Sequence, residues 1–505
     1  MKRISTHAAL RAGSFTLTMA LLGSLAACGN VYELAQEPQQ EQQSQAQPQD
    51  VQSGVGLDPT DLSRADDRRT ETPPQEEPPA EVQACSDVRF PEPNASDGCH
   101  RVLLTRNAQG APFNASSEDA KISRDGRAAV FTVLPTEEYG VNGLDADTNL
   151  SRDVYLVDLD SSAMELISVD PDGKVTDGDS FEPSVSERGL FVAFTSYARK
   201  LTEHALEGQS AIHVRDREAN RTTLASVNDD GQPANGDSYS PLISADGRYV
   251  VFLSAATNLV PGDRNGKVDL FLRDLLDKRT ERISLADDGS EPREDAQPAA
   301  GISDNAQYVL FHHPSRLSSK DRDRDELPAA KRMDVYLRDR HEGRNIMISR
   351  PLEETLPIPL DETTLRGAVA VALSPAGDMV LFRTSNVSSI LEIPTAHIGH
   401  GTLMATRREG DIEHRLMYIG LGRATSMSAD GHALTFTSRE AGLVQHQYST
   451  EEDGLIENGY AYDVDTAETT LATAAEDGTP GVIHDYKRDE DAARDWVGID
   501  ISGDG

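Results

Sequence analysis

The stretch that decides the fold is "SADGRYVVFLS", residues 244 to 254. A Ser and an Asp-Gly turn run directly into apolar, β-favouring residues, the pattern of a tight turn followed by a buried strand. The phrase recurs. A Ser is followed eight residues later by Phe at Ser123/Phe131, Ser186/Phe194, Ser244/Phe252, Ser303/Phe311, Ser374/Phe382 and Ser428/Phe436. Ile122, Val185, Ile243, Ile302, Leu373 and Met427 precede the serines, and Gly stands three after the Ser in five units, with Ala306 in the fourth. The spacings are 63, 58, 59, 71 and 54 residues, which is the length scale of a structural repeat.

Each unit reads as four strands. Strand A ends at the aliphatic-Ser pair. The "ADG" turn suits a two-residue hairpin, because Gly supplies a positive φ. Strand B is the unbroken apolar run, as in "YVVF" and "LFVAF"; a run without alternation is buried on both faces. Strand C alternates, as in "DVYLVD" at 153, "DLFLRD" at 269 and "DVYLRD" at 334. Strand D follows a short polar turn, as in "MELISVD" and "TERISLA". No helical period stands out after residue 100. Four-stranded units repeated radially make a β-propeller, so the fold class is all-β.

The stretch "SADGRYVVFLSAATNLVPGDRNGKVDLFLRDLLDKRTERISL" resembles the WD40-like repeat of TolB-type β-propellers. The resemblance covers about residues 100 to 475. It is strong in repeats one to four, fair in six and weak in five, where Pro375-Ala376-Gly377 forms the turn and "TLMATRRE" lacks the Asp pair of strand C. That family also carries an α/β domain before its propeller; this chain does not match it there, so the family's partners are not carried over. The resemblance implies a fold, and a fold does not give a function. Six blades with an extra flap is the count adopted. "GIDISGDG" at 498 to 505, with "RVLLTRNAQG" at 101, leaves a split seventh blade as the alternative.

Before the repeats lie two other segments. Lys2, Arg3 and Arg11 precede an apolar run at 13 to 27 that is too short to span a bilayer. It ends in "LAAC", which resembles a bacterial lipobox with Cys28 as the acylated residue. Residues 1–27 are then a lipoprotein signal peptide, and Gly29, not Asp, after the Cys implies outer-membrane sorting, facing the periplasm or the cell surface. A multiply acylated Cys anchors stably, at about 0.8 kcal/mol per buried methylene. Residues 28–84 are rich in Gln, Glu and Pro and nearly free of large apolar groups, the composition of a disordered tether. The propeller is assigned to 85–505. Cys85 and Cys99, in an exported chain, are expected to pair as a disulfide worth roughly 3 kcal/mol, two free thiols being the alternative.

The formal net charge of −37 excludes nucleic acid and anionic lipid surfaces as natural partners. Strand direction alternates within a blade, so the short A–B and C–D turns share one end and the long B–C and D–A loops share the other. Binding residues concentrate on long loops over a rigid scaffold. One B–C pattern repeats: Asp147, Asn149 and Asp153 align with Asp263, Asn265 and Asp269, and Asp145 adds a further carboxylate. Oxygens at alternate turn positions suit Ca2+, the one cofactor considered; turn capping is the alternative. Asp158, Asp216, Asp274, Asp339 and Asp463 recur at the end of strand C and are assigned to the C–D turn. His312-His313, His397 and His400 lack the further ligands of a zinc site. No nucleophile elbow or phosphate loop is present, and no catalytic residue is assigned. The expected function is a monomeric, lipid-anchored envelope propeller, not an enzyme, that binds a protein or glycan through its long-loop face. The alternative is a Ca2+-dependent lactonase- or lyase-like enzyme using the central channel.

Overall fold

The computed structural model describes residues 104–105, 115–135, 149–202, 208–319, 333–349, 367–384, 401–408, 411–413, 423–438, 458–464, 466 and 468–471. The signal segment, Cys28, the tether, Cys85, Cys99, Asp145, Asp147, His397, His400 and residues 498–505 lie outside them. Six four-stranded antiparallel sheets follow one another along the chain, each in sequential order, forming a ring. Among the described residues there is no helix. Blade 1 comprises β1 (Ser116–Ile122), β2 (Ala128–Leu134), β3 (Asp153–Asp158) and β4 (Met164–Leu166); blade 2, β5 (Ser180–Val185), β6 (Phe191–Ser196), β7 (Ala211–Asp216) and β8 (Arg221–Leu224). Blade 3 comprises β9 (Ser238–Ile243), β10 (Tyr249–Ser254), β11 (Asp269–Asp274) and β12 (Arg279–Arg282). Blade 4 comprises β13 (Ala299–Ile302), β14 (Tyr308–His313), β15 (Asp334–Asp339) and β16 (Arg344–Met347). Blade 5 holds β17 (Ala368–Leu373), β18 (Met379–Thr384), β19 (Gly401–Arg408) and β20 (Asp411–Glu413); blade 6, β21 (Arg423–Met427), β22 (Ala433–Ser438), β23 (Asn458–Asp463) and β24 (Thr469–Leu471).

The cores lie between blades, which explains strand B. In β10, Val250 and Phe252 pack toward blade 2 with Val214 and Ala193, whereas Val251 and Leu253 pack toward blade 4 with Val309 and Phe311. Strand C was expected to alternate, yet β3, β7 and β11 are buried on both faces. The cause is the same: each blade face meets a neighbour, so polar residues on strand C are limited to its ends and to side chains with internal partners. Within most blades the Phe of strand B stacks on an aromatic ring of strand C, as in Phe131–Tyr155 and Phe252–Phe271.

The repeated Ser closes the A–B turn. Ser244 Oγ donates to Asp246 (2.5 Å) and accepts the Tyr249 N–H (2.9 Å), while Gly247 N–H reaches the Ser244 carbonyl (2.9 Å). The turn is wider than a two-residue hairpin: Ser244 N–H pairs with the Tyr249 carbonyl, leaving four residues between. The Ser hydroxyl takes up the amide that a tighter turn would have bonded through its backbone. Gly247 has φ +75°, and a Cβ there would meet the Phe191 ring of blade 2 at 2.1 Å. The position therefore excludes a side chain on two grounds.

Candidate functional site

At the short-turn end, the turns bond to one another. Asp125 N–H donates to Glu187 O, Glu187 N–H to Ala245 O, and Asp304 N–H to Pro375 O. Arg124 of blade 1 and Asp304 of blade 4 form an ion pair at 2.5 Å, joining opposite sides of the ring. The C–D turns are wound on their aspartates: Asp158 accepts Ser161 N–H, Asp216 accepts Ala219 N–H, Asp339 accepts His341 and Glu342 N–H, and Asp463 accepts Thr466 N–H. Asp274 adds a bidentate contact from Arg248, which with backbone N–H groups outweighs burial and holds its carboxyl below the usual range.

The long-loop end is different. Asn149 donates to Asp153 (3.0 Å) and to Thr176 O (2.9 Å), and its own oxygen accepts Ser151 N–H. Asn265 donates to Asp269 (2.9 Å) and accepts Lys267 N–H (3.0 Å). Asp153 and Asp269 each take a strand D hydroxyl, Ser168 at 2.5 Å and Ser284 at 2.6 Å. Both loops are thus bonded as turn caps around a buried Asp. Asp263 and Asp269 surround a cation the sequence reading missed. Arg282 Nη1 lies 3.2 Å from Asp263, 3.1 Å from Asp269 and 2.9 Å from Glu291, and its side chain is 6% exposed. The contacts to Asp269 and Glu291 are hydrogen bonds, while that to Asp263 is an ion pair and both Asp263 oxygens are buried without a hydrogen-bond partner. Burial raises the Asp263 carboxyl despite the guanidinium. Leu166 fills the corresponding place in blade 1, where it pairs with Tyr155 as Arg282 pairs with Phe271. Among the described residues no group of three or more His, Cys, Asp or Glu is placed to hold a metal ion.

One tier of the ring lies where strand A begins and strand B ends. Its cross-strand pairs are Glu118/Thr132, Phe181/Thr195 and Tyr239/Leu253 in blades 1 to 3, and Val369/Arg383 and Arg423/Thr437 in blades 5 and 6. His312 occupies the strand B position in blade 4. Next to this tier strand A is bulged in all six blades. In blades 1 to 3 the bulge holds Asp119, Glu182 and Ser240 at positive φ; in blades 4 to 6 the aligned Ala299, Ala370 and Ala424 stay paired with strand B and the bulge falls on Ala300, Val371 and Thr425. Glu182 spans two blades, accepting Thr195 Oγ1 (2.9 Å) and the Ser240 N–H (2.8 Å) that the next bulge releases. Glu118 pairs with Arg152 at 3.1 Å, and Arg152 lies over the Phe181 ring. Phe181 stacks on Tyr197, which is 47% exposed. This end therefore carries accessible aromatic surface and an uneven distribution of charge.

No family model matches the chain, and no curated protein matches it. Solved structures do. The β-propeller domain of the Trilobed protease from Pyrococcus furiosus is 14% identical, TM-score 0.39, with 71% of this chain and 84% of that one covered. TolB from Acinetobacter baumannii is 13% identical, TM-score 0.33, covering 72% and 80%. An oligogalacturonate lyase in complex with manganese is 12% identical, TM-score 0.38, covering 72% and 82%. Their number includes a protease domain, a lyase and TolB, and the likeness is one of fold. The six sequential four-stranded sheets are a β-propeller.

Proposed function

We propose that this chain is a lipid-anchored cell-envelope propeller that presents its long-loop face to a protein or glycan partner and performs no catalysis of its own. The observation that carries this reading is the contrast between the two ends. The short-turn end is committed to its own turn-to-turn hydrogen bonds, the Arg124–Asp304 pair and the aspartate-wound C–D turns. The other end leaves Tyr197 stacked on Phe181 yet half open, and Leu150 exposed in the blade-1 loop; the exposed apolar side chains of the short-turn end, Leu190 and Leu276, are single leucines without such an aromatic pair. An amphipathic ring held by packing suits recognition, because it offers contact area at low cost in conformational entropy. The described acids Asp153, Glu182 and Asp269 accept internal hydrogen bonds, which supports binding over acid–base chemistry.

The test shortens the blade-five B–C loop, Ser385–Ile398, to a Gly-Ser linker. Loop length contributes only about 0.6 kcal/mol per doubling, so the ring should stay folded. Crosslinking in cells, followed by recovery of the propeller, should lose the wild-type partner in the shortened variant and retain it in Leu276→Ser, at the opposite end. The reverse pattern would put the binding face at the short-turn end.

A further inference from the structure

His312, Arg383 and Arg423 stand at one tier of the ring, in three successive blades. Two of them have polar atoms that nothing satisfies: His312 Nδ1 and Arg383 Nε are buried without a hydrogen-bond partner. Both residues are only half-buried, but each keeps one nitrogen shut away from water without an acceptor or donor, and native structures rarely leave such an atom unmet without a use. The contrast with blade 2 shows what is missing. There the same strand B position is Thr195, and Glu182 at the bulge supplies a carboxylate to it and to blade 3. In blade 5 the residue aligned with Glu182 is Ala370 and the bulged one is Val371, so the carboxylate is absent where Arg383 replaces the Thr. The corresponding residues of the neighbouring blades, Ala299 and Ala424, and their bulged residues, Ala300 and Thr425, are equally uncharged.

We propose that His312, Arg383 and Arg423 form a subsite for an oxyanion, a carboxylate or phosphate group carried by the ligand of the long-loop face. A planar guanidinium meets such a group with two parallel hydrogen bonds, and a second cation on the adjacent blade adds charge without steric demand. Burial, then the charge of Arg383, pushes His312 down to about 4, so at neutral pH it offers an uncharged imidazole beside the guanidinium. Burial, then the charge of Arg423, pushes Arg383 below its usual range. Both effects register a positive, partly desolvated spot at His312 and Arg383, with the exposed Arg423 at its rim, that a bound anion would relieve. In a chain of net charge −37, this spot runs against the overall field, so an anion is held here by the local geometry and not by general attraction.

This inference rests on the long-loop end being the binding end, and its test is separate from partner capture. The full chain in non-ionic detergent is melted in sodium chloride, acetate, malonate and phosphate at constant ionic strength. Malonate or phosphate should raise the melting temperature saturably, by about 1.4 kcal/mol of stabilisation at tenfold excess over the dissociation constant. Which of the two acts at lower concentration identifies the group. Arg383→Met should abolish the rise without lowering the melting temperature in chloride, since the atom it removes from the interior, Nε, has no partner there. Arg383→Lys should retain part of the rise, and Arg221→Met, on the exposed outer strand of blade 2, should retain all of it. An equal rise in Arg383→Met, or none in the wild type, overturns the subsite. If it fails while the shortened blade-five loop still loses its partner, the binding face stands without the anion. If the rise is seen and the loop is dispensable for capture, the face assignment fails instead.

Discussion

His213 occupies the strand C position that holds Tyr155, Phe271, Tyr336 and Tyr460 in other blades, and it stacks on Phe194 as they stack on theirs. It serves as an aromatic ring in a sealed core, and burial pushes it down to about 4. The unfolded chain takes up this proton near pH 6.5 and the folded one near 4. Stability is therefore lost as pH falls through that window and changes no further below it. The loss is about 3 kcal/mol when the window has been crossed. His213→Phe should remove this component, leaving the variant more stable than wild type at pH 5 in urea titrations; an unchanged pH profile would mean that His213 is solvated. Gly247 illustrates the opposite limit, a position where any side chain fails. A Cβ there adds left-handed strain to a collision with Phe191. Ala306, at φ +50° and fully buried, shows the chain accepting that strain where the methyl finds a core to join.

At the scale of the element, the B–C loop of blade 3 is organised by a residue far from it in sequence. Arg282, on β12, draws Asp263, Asp269 and Glu291 around one nitrogen. Removing it leaves carboxylates buried without a counter-charge, which costs about 3 kcal/mol or more. Arg282→Leu, the residue type blade 1 has there, should melt lower by that amount. It should also acquire a rise with millimolar Ca2+ beyond any shown by the wild type, because three oxygens then face an open centre. A variant with unchanged stability and no gain in calcium response would remove the guanidinium from this role. The case also shows what was readable beforehand. The Ser-x-Asp-Gly turns and the strand C aspartates bond within a few residues, so the repeat exposes them. Arg282 and Glu182 act across 13 and 58 residues, and the strand A bulges that aim Glu182 leave no mark in the hydrophobic pattern. Aligning the repeats position by position would have flagged His213 in an aromatic column and Arg383 as the charged member of a column that holds threonine in three of its six places. Strand C misled for a related reason. Alternation describes a sheet with one wet face, and an inner blade strand has none.

For the whole molecule, the ring brings five inter-blade cores into register through clusters that each draw on two neighbouring blades. The proposed membrane anchor belongs to the segment before the ring. The lipobox-like "LAAC" predicts that Cys28→Ser leaves the precursor uncleaved or releases the protein from the membrane fraction. Fractionation and gel mobility identical to wild type would end that reading. Among the described residues no helix is long and apolar enough to cross a membrane. The Arg124–Asp304 pair bears on how any ligand is handled. It is exposed enough, at 28% and 54%, to add little to stability. Its position matters more than its energy, because it bars the floor of the ring between opposite blades. On the binding face proposed above, a ligand meets the ring from one side only, with the turns joined by the Arg124–Asp304 pair behind it.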